Sequence, residues 1–203
     1  MDKFVLRSTL TSPFGRKVRI AAQVLGLADR ITLQPADPRD EADSLRRQNP
    51  LGKMPCLLLA DGTPIYDSSV ILDYFDQLAG GGRLMPAGGL DRIKALTRAK
   101  LADGILDAAI LIVYEGRYRE AHQASETWLA HQRGKALRAL AEFEQAPPDA
   151  GKSDIVAIGL SCALGYLDWR KVVDWRAQFL RLVAWLDAFA RREPAFNATR
   201  AEK

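Results

Sequence analysis

The sequence is poor in cysteine and histidine, and this scarcity excludes several kinds of site. Among 203 residues there are two cysteines and two histidines. Cys56 and Cys162 lie far apart within apolar segments, so we expect buried, reduced thiols rather than a disulfide or a Cys-x-x-Cys redox pair. His122 and His131 have no cysteine or acidic partner at ligand spacing, and the sequence therefore predicts no metal site.

Long apolar runs and basic blocks are also missing. No uninterrupted apolar run approaches the ~20 residues that a membrane-spanning helix needs. The net charge is +4, but the excess lysines and arginines are spread along the chain and form no block with interleaved aromatic residues, as nucleic-acid-binding segments do. The start of the chain becomes polar too soon for a signal peptide. We therefore predict a cytoplasmic protein that binds neither membranes nor nucleic acid.

The stretch between residues 49 and 72 carries the clearest local signals. Residues 57–59 are all leucine, and a continuous apolar run of this kind predicts a strand covered on both faces. Asp61-Gly62 predicts a tight turn. We therefore expect residues 64–66 to return antiparallel to the first strand.

A proline and an acidic-serine pair stand at the two ends of this predicted hairpin. Pro55 opens a buried strand, although proline has no N–H to donate to the sheet. We interpret Met54-Pro55 as a cis peptide that turns a backbone edge outward for a ligand. Apolar residues at helical spacing begin after Asp67 and Ser68, and one of these two residues is the expected helix N-cap.

The segments before this hairpin complete a recognisable order. Residues 3–6 and 31–33 read as strands, and the helix between them ends before Gly26, which suits a left-handed C-terminal position. Residues 35–48 predict a short, exposed, mobile helix. The order βαβαββα is that of a thioredoxin-like α/β fold.

The composition changes between residues 81 and 89, and no strand pattern follows. We predict a thioredoxin-like domain at residues 1–80, a linker at residues 81–89 and an all-α domain at residues 90–203. The second domain has helical periodicity at residues 90–118, at 122–146, in an apolar segment that opens at residues 151–154, and at 172–192. The third of these helices is apolar on most sides and should form the centre of the domain. We assign Gly151 as its N-cap and Asp154 as an acid at N3 with a folding role.

The run from Asn49 to Leu78, NPLGKMPCLLLADGTPIYDSSVILDYFDQL, resembles the corresponding part of the cytosolic glutathione S-transferases. A looser resemblance, with features of the theta, zeta and omega classes, covers nearly the whole chain. It implies that Lys53, Met54 and cis-Pro55 present backbone to the cysteinyl part of glutathione. It also implies that Asp67 and Ser68 hold the γ-glutamyl end; the family usually has Glu where this chain has Asp67.

Ser12 is the candidate catalytic residue. From its position before a proline it is a helix N-cap. The resemblance adds a second role, because serine-type glutathione transferases keep their catalytic hydroxyl in this loop, some with an arginine four residues later, as Arg16 is here. Omega-class enzymes have Cys-Pro-Phe where this chain has Ser-Pro-Phe. The two roles are compatible because a helix N-terminus favours an anion. Thr11 and Ser8 are the alternative hydroxyls.

A polar stripe on the first helix of the second domain is the candidate pocket for a second substrate. Tyr114, Arg117 and Tyr118 share a helical face, and the resemblance implies that this face and Phe14 border the pocket for the electrophile. The alternative is a pair of packed tyrosines with a solvated arginine. Asp107 either faces the cleft or bonds locally and bends its helix.

The predicted function is therefore that of a homodimeric glutathione S-transferase in detoxification. It would bind glutathione as a thiolate and conjugate it to a small hydrophobic electrophile, with glutathione as co-substrate and no metal. Two alternatives stay open: a non-catalytic relative that acts as a binding or scaffold protein, and a glutathione-dependent isomerase, dehalogenase or reductase. The sequence does not identify the physiological electrophile.

Overall fold

The computed structural model describes residues 3–201; residues 1–2 and 202–203, at the outer ends of the two predicted domains, lie outside the described part. A four-stranded sheet lies in the first half of the chain. Its strands are β1 (Phe4–Arg7), β2 (Ile31–Gln34), β3 (Cys56–Leu58) and β4 (Pro64–Ile65). The strand order is β2-β1-β3-β4, with β1 parallel to β2 and antiparallel to β3, and β4 antiparallel to β3.

Within the described residues, eight α-helices accompany the sheet. They are α1 (Pro13–Val24), α2 (Leu45–Gln48), α3 (Ser68–Leu78), α4 (Gly89–Tyr118), α5 (Glu126–Gln145), α6 (Ile155–Arg170), α7 (Leu180–Arg192) and α8 (Pro194–Ala198). The mixed sheet with α1 to α3, followed by a helical second half, confirms the predicted fold class. The limits at residues 81–89 stay a prediction. None of the helices in residues 3–201 has the length and apolar character needed to cross a membrane.

Helix α1 forms as its local sequence predicts. The Ser12 hydroxyl accepts a hydrogen bond from the Gly15 N–H at 3.1 Å, and Pro13 takes the first helical position, where its missing N–H costs nothing. The helix ends before Gly26, whose φ of 74° is the left-handed conformation expected there. The predicted apolar face is buried, and it consists of Val18, Ala21, Ala22 and Leu25.

The hairpin and its proline also agree with the prediction. Met54-Pro55 is a cis peptide, and Gly62 has a φ of 87° in the turn between β3 and β4. The Asp61 carboxylate accepts a hydrogen bond from the Thr63 N–H at 2.9 Å, which stabilises this turn. Both cysteines are free and buried, as predicted.

One buried carboxylate holds the connection between the two halves of the chain. Asp76, 2 % exposed, lies near the end of α3. Its two oxygens accept hydrogen bonds from three successive backbone N–H groups, those of Gly82, Arg83 and Leu84, at 2.7–3.0 Å. The glycine-rich segment thus leaves α3 along a defined path, although its composition indicates only a flexible linker.

Helix α6 is the centre of the helical half, as predicted, but its N-cap is Asp154 and not Gly151. The Asp154 carboxylate accepts hydrogen bonds from the N–H groups of Val156 at 3.0 Å and Ala157 at 2.9 Å. Gly151 lies in the preceding turn, where its N–H donates to Asp149. A carboxylate satisfies two of the free donors at a helix start, whereas a glycine has no side chain to do so.

The predicted start of α7 at residue 172 is wrong by eight residues. Lys171 has a φ of 54° and ends α6. The chain then folds back, because the Trp175 indole and the Arg176 guanidinium both bind the Asp168 carboxylate, at 2.6–2.9 Å. The first turn of α7 is bound by Glu144, whose carboxylate accepts from the backbone N–H groups at positions 181 and 182. Asp168 precedes its partners by seven and eight residues and Glu144 precedes its partners by 37 and 38, so apolar periodicity cannot locate the start of α7.

The predicted start of α5 at residue 122 is also too early. A short 3-10 turn occupies Ala121–Gln123, and α5 begins at Glu126. Ser125 is the N-cap, since its hydroxyl accepts from the Trp128 N–H at 3.3 Å. The apolar residues from Trp128 onward continue the helical pattern as predicted.

Replacing the cap of α6 should destabilise the helical half. We expect Asp154→Ala to lower the free energy of unfolding by ~0.5–2 kcal/mol, the cost of losing an N-cap side chain. Asp154→Asn should stay close to the wild type, because asparagine caps as well as aspartate. Urea denaturation of both variants is the measurement. No loss with Asp154→Ala, together with a gain of a few tenths of a kcal/mol with Gly151→Ser, would contradict the assignment.

Candidate active site

A cavity of ≈ 760 Å³ opens between the sheet and the helical half. Its walls come from the loop after β1, the start of α1, the segment before α2, the loop before β3, helix α4 and the end of α6. The predicted site residues that line it are Ser12, Phe14, Lys53, Met54, Asp107, Tyr114, Arg117 and Tyr118. The structure therefore brings together three groups of predicted residues that are more than 30 positions apart in sequence.

Ser12 lies on the cavity wall at the N-terminus of α1. Its oxygen accepts a hydrogen bond from the Gly15 N–H. A hydroxyl can also donate one hydrogen bond, so capping leaves the Ser12 proton available to a ligand. Thr11 also lines the cavity, and its hydroxyl lies 3.1 Å from that of Thr9. Thr9 contacts the Met54 sulfur at 3.5 Å.

Ser8 and Arg16 lie elsewhere. Ser8 is fully buried against the first turn of α1, where a Cβ at Gly15 would come within 2.0 Å of its hydroxyl oxygen. It is therefore no alternative to Ser12. Arg16 is also buried and lines a second cavity of ≈ 380 Å³, which shares Thr11, Ser12, Pro13 and Tyr166 with the first. There it donates to the Phe196 carbonyl at 2.7 Å and to the Thr199 hydroxyl at 3.3 Å.

The loop before β3 presents backbone to the cavity. The Asn49 side chain is 2 % exposed, and its amide donates a hydrogen bond to the Lys53 carbonyl at 2.8 Å. This hydrogen bond stabilises the loop. Gly52 takes a φ of 59° beside it. Pro55 is buried directly after Met54. The backbone around Met54 is therefore held in place before any ligand binds.

Asp67 and Ser68 lie at the start of α3, outside the lining of the cavity. Asp67 is the N-cap and accepts from the Ser69 N–H at 2.9 Å; its peptide bond to Tyr66 is cis. Partial burial raises its pKa, but the nearby Lys100 ammonium and the Ser69 N–H outweigh this effect, and the pKa lies below its ordinary value. The carboxylate is thus an anion at neutral pH and remains exposed to a cationic ligand group.

A buried ion pair lies directly beneath Ser68. Lys17 on α1 is 1 % exposed and Asp103 on α4 is 5 % exposed, and the two form a salt bridge. The Lys17 ammonium also donates to the Ser68 hydroxyl at 3.3 Å. On the opposite side, the second Asp103 oxygen accepts from Ser69 and from Lys100, each at 3.3 Å. The network joins α1, α3 and α4.

Helix α4 contributes one continuous stripe to the cavity. The stripe consists of Asp107, Ile110, Leu111, Tyr114, Arg117 and Tyr118. Asp107 therefore faces the cleft, which answers the alternative that the sequence left open. Burial and the neighbouring Asp103 carboxylate raise the pKa of Asp107, while Lys53 opposes this shift. The rings of Tyr114 and Tyr118 meet edge to face with centroids 5.4 Å apart.

Sequence reasoning missed two residues that α6 contributes to the cavity. Tyr166 and Arg170 line it from the last turns of α6. They stand four residues apart, the spacing of neighbours on one helix face. That spacing is the available signal, but the apolar pattern of α6 indicates a wholly buried helix. Arg39, from the segment before α2, is a further missed lining residue.

Three comparisons with known proteins agree. Residues 11–78 match the family model described as glutathione S-transferase, N-terminal domain. The uncharacterized GST-like protein YibF of Escherichia coli (strain K12) is 34 % identical over 200 residues, which cover 93 % of this chain and 98 % of YibF. A glutathione transferase family member from Pseudomonas fluorescens Pf-5, solved with bound glutathione, is 40 % identical, with a TM-score of 0.92 and coverage of 99 % of this chain and 100 % of that one.

A further solved structure is also similar along its whole length. It is a glutathione S-transferase from Methylobacterium radiotolerans JCM 2831 in complex with glutathione sulfonate. It is 33 % identical to this chain, with a TM-score of 0.87, and the match covers 99 % of this chain and 97 % of that one.

Removing one partner of the buried ion pair should destabilise the protein strongly. Asp103→Ala leaves the Lys17 ammonium buried without its anion, and we expect the free energy of unfolding to fall by ~3–5 kcal/mol. The double variant Lys17→Met with Asp103→Leu should recover most of this loss, because it buries no charge. Urea denaturation is the measurement, with Asp174→Ala, at an exposed position, as the control. A double variant no more stable than Asp103→Ala would contradict this account.

Proposed function

The chain belongs to the glutathione S-transferase family, and on that premise we propose that it conjugates the thiol of glutathione to a small electrophile. The observation that carries the proposal is the position of the Ser12 hydroxyl. It lies at the N-terminus of α1 on the wall of a cavity that has a fixed backbone edge on one side and the α4 stripe on the other.

The first part of the proposal concerns the thiol. The backbone at Met54 and cis-Pro55 would pair with the cysteinyl part of glutathione, with Lys53 beside it, and Ser12 would donate its free proton to the sulfur. A thiol has a pKa of ~8.5, and lowering it by ~2 units requires about 2.7 kcal/mol of preference for the anion. A hydrogen bond to a charged group is worth about 1.5–3 kcal/mol. One hydroxyl at a helix N-terminus is therefore sufficient, without a metal or a general base.

The second part concerns the γ-glutamyl group. Its ammonium would bind the exposed Asp67 carboxylate, and its carboxylate would bind Ser68 and the free N–H groups at the start of α3. The Ser68 oxygen accepts from Lys17, so its proton can be donated to the ligand. The Lys17–Asp103 pair would thus support the binding residues from below without contacting glutathione.

The third part concerns the electrophile. Phe14, Asp107, Tyr114, Arg117 and Tyr118 form the remaining wall of the cavity, and we propose that they bind the second substrate. The same pocket could serve a glutathione-dependent isomerase, dehalogenase or reductase. Conjugation is the proposed reaction because it needs only the thiolate and an electrophilic carbon placed beside it.

We also propose that the protein works as a cytoplasmic homodimer in detoxification. Several large apolar side chains on α3 and at the start of α4 are exposed, among them Val70, Leu90 and Ile93. An apolar surface of this kind is typical of a subunit contact. Buried free thiols agree with a reducing compartment.

The experiment that tests the function has two steps. The protein is first applied to immobilised glutathione, and turnover is then measured with a panel of chloronitrobenzenes, isothiocyanates and enones. Retention with turnover supports the transferase. Retention without any turnover would support the alternative of a binding or scaffold protein, and a failure to bind glutathione would contradict both.

Loss of the Ser12 hydroxyl should raise the pKa of the bound thiol. We expect Ser12→Ala to raise it by about one to two units, following ~1.36 kcal/mol per unit. Below the thiol pKa the sulfur is protonated and uncharged, so glutathione affinity at low pH should stay within a few-fold. Turnover near pH 7 should fall roughly ten- to a hundredfold and partly recover in alkali. The measurement is the thiolate absorbance of the complex against pH.

Thr11→Ala is the matched control, because this neighbouring hydroxyl also lines the cavity. It should titrate like the wild type. If instead the Ser12→Ala curve coincides with the wild type, Ser12 acts only as a helix cap. Thr11 would then be the residue beside the sulfur.

Asp67 should contribute its charge to glutathione binding. Asp67→Asn keeps a side chain that can cap α3 but removes the anion. We expect glutathione affinity to fall roughly tenfold or more, since charged hydrogen bonds are worth about 1.5–3 kcal/mol. Calorimetry measures this, with Asp73→Asn on the same helix as the control. Unchanged affinity in a folded Asp67→Asn protein would exclude the assignment.

A further inference from the structure

We propose that the second substrate is an aromatic carboxylate and that Arg117 and Arg170 bind its carboxylate group. The inference rests on the proposed function, since it names the substrate class of the same site. It follows from the way in which charge and aromatic surface are distributed along the cavity.

The two guanidinium groups are held by aromatic rings rather than by acids. The Arg170 guanidinium carbon lies 3.7 Å from the centroid of the Trp169 ring and 5.7 Å from that of Tyr166. The Arg117 guanidinium lies 5.0 Å from the Tyr114 centroid. Contacts of this kind fix a guanidinium through its face and leave its N–H edge free for a carboxylate.

Neither arginine has an acidic partner among residues 3–201. The salt bridges of the described chain, at N–O distances up to 4.0 Å, include no Arg117 and no Arg170. The Arg170 Nε is buried and has no hydrogen-bond partner in that part of the chain. A buried donor without a partner carries a desolvation cost that an anionic ligand would remove.

One acid of the cavity lining lies away from this end, and the other is paired with an arginine. Asp107 precedes Arg117 by ten residues on α4, a separation of ~15 Å along the helix axis. Its neighbouring cation is Lys53, on the side of the sheet. Asp37 is the other acid of the lining, and it accepts from Arg39 at 3.2 Å. The end of the cavity formed by Arg117 and Arg170 is thus positive.

Tyr166 adds a neutral donor at the same end. Burial raises the pKa of its hydroxyl, while the charge of Arg170, a hydrogen bond with the Arg170 side chain and the charge of Arg117 oppose the shift. Both guanidinium groups therefore act on one hydroxyl, which stays protonated at neutral pH and can donate to an anion. Phe14, Tyr114 and Tyr118 line the same cavity as Ser12. Aromatic side chains stack favourably on an aromatic ligand, and they would hold its ring beside the thiol.

The test compares two glutathione conjugates that differ in one group. The probes are S-(4-carboxybenzyl)glutathione and S-(4-carbamoylbenzyl)glutathione, which have the same shape but differ by one negative charge. We expect the wild-type protein to bind the carboxylate at least tenfold more tightly in calorimetry, as one charged hydrogen bond implies. Glutathione alone is titrated in parallel.

Arginine variants assign the preference to the two side chains. In Arg117→Gln and Arg170→Gln the preference for the carboxylate should fall severalfold, and the double variant should bind the two conjugates equally. Arg191→Gln, at an exposed position outside both cavities, should keep the full preference. Glutathione affinity should be unchanged in all of them. If Arg170→Gln does not fold, Arg117→Gln carries the test.

Each other outcome is decisive. Equal binding of the two conjugates by the wild type, with glutathione still bound, would overturn this inference and leave the proposed function standing. A preference that survives in the arginine variants would overturn it as well. Weaker binding of glutathione itself in Arg117→Gln would show that these arginines bind glutathione. Failure of the wild type to bind glutathione and both conjugates would overturn the proposed function, and the inference with it.

Discussion

Two buried charges, the ammonium of Lys17 and the carboxylate of Asp103, hold helix α1 against the 30-residue helix α4. Burying either charge without the other is strongly unfavourable. The pair therefore fixes how α1 packs against α4. Ser12 caps α1 a little more than one turn before Lys17, and Asp107 follows Asp103 by one turn on α4. The spacing between the serine hydroxyl and the α4 stripe is therefore set in the core. The width of the cavity therefore depends on an ion pair that does not line it.

The parts of the structure that sequence predicts well are those with local causes. Ser12-Pro13 starts a helix, Asp61-Gly62 makes a turn, and a proline before a buried strand marks a cis peptide. Each of these signals acts within about four residues, where side chain and backbone meet directly. The order of strands and helices follows from them. The same locality explains why the hydroxyl and the backbone edge of the candidate site were both found.

The parts that sequence does not predict depend on partners more than one helical turn away. Glu144 binds the start of α7 from another helix, and Asp168 folds the preceding segment back on α6. Apolar periodicity in the sequence does not predict such contacts. Tyr166 and Arg170 were missed for a related reason, because a helix that is apolar on nearly every side gives no sign of the one turn that reaches a cavity. The sequence around Lys17 likewise does not predict that it is buried, because its partner Asp103 lies on α4.

The contacts of Arg16 affect the order in which parts of the protein fold during synthesis. Its guanidinium binds Phe196 and Thr199, which follow it by 180 and 183 positions. During synthesis at ~5–20 residues per second, α8 emerges about 10–40 s after α1. The sheet can form in that interval, but the turn that carries Ser12 lacks one of its supports until the helices on the far side have folded. In a nascent chain the sheet would thus form well before the turn that carries Ser12 gains its contacts with α8.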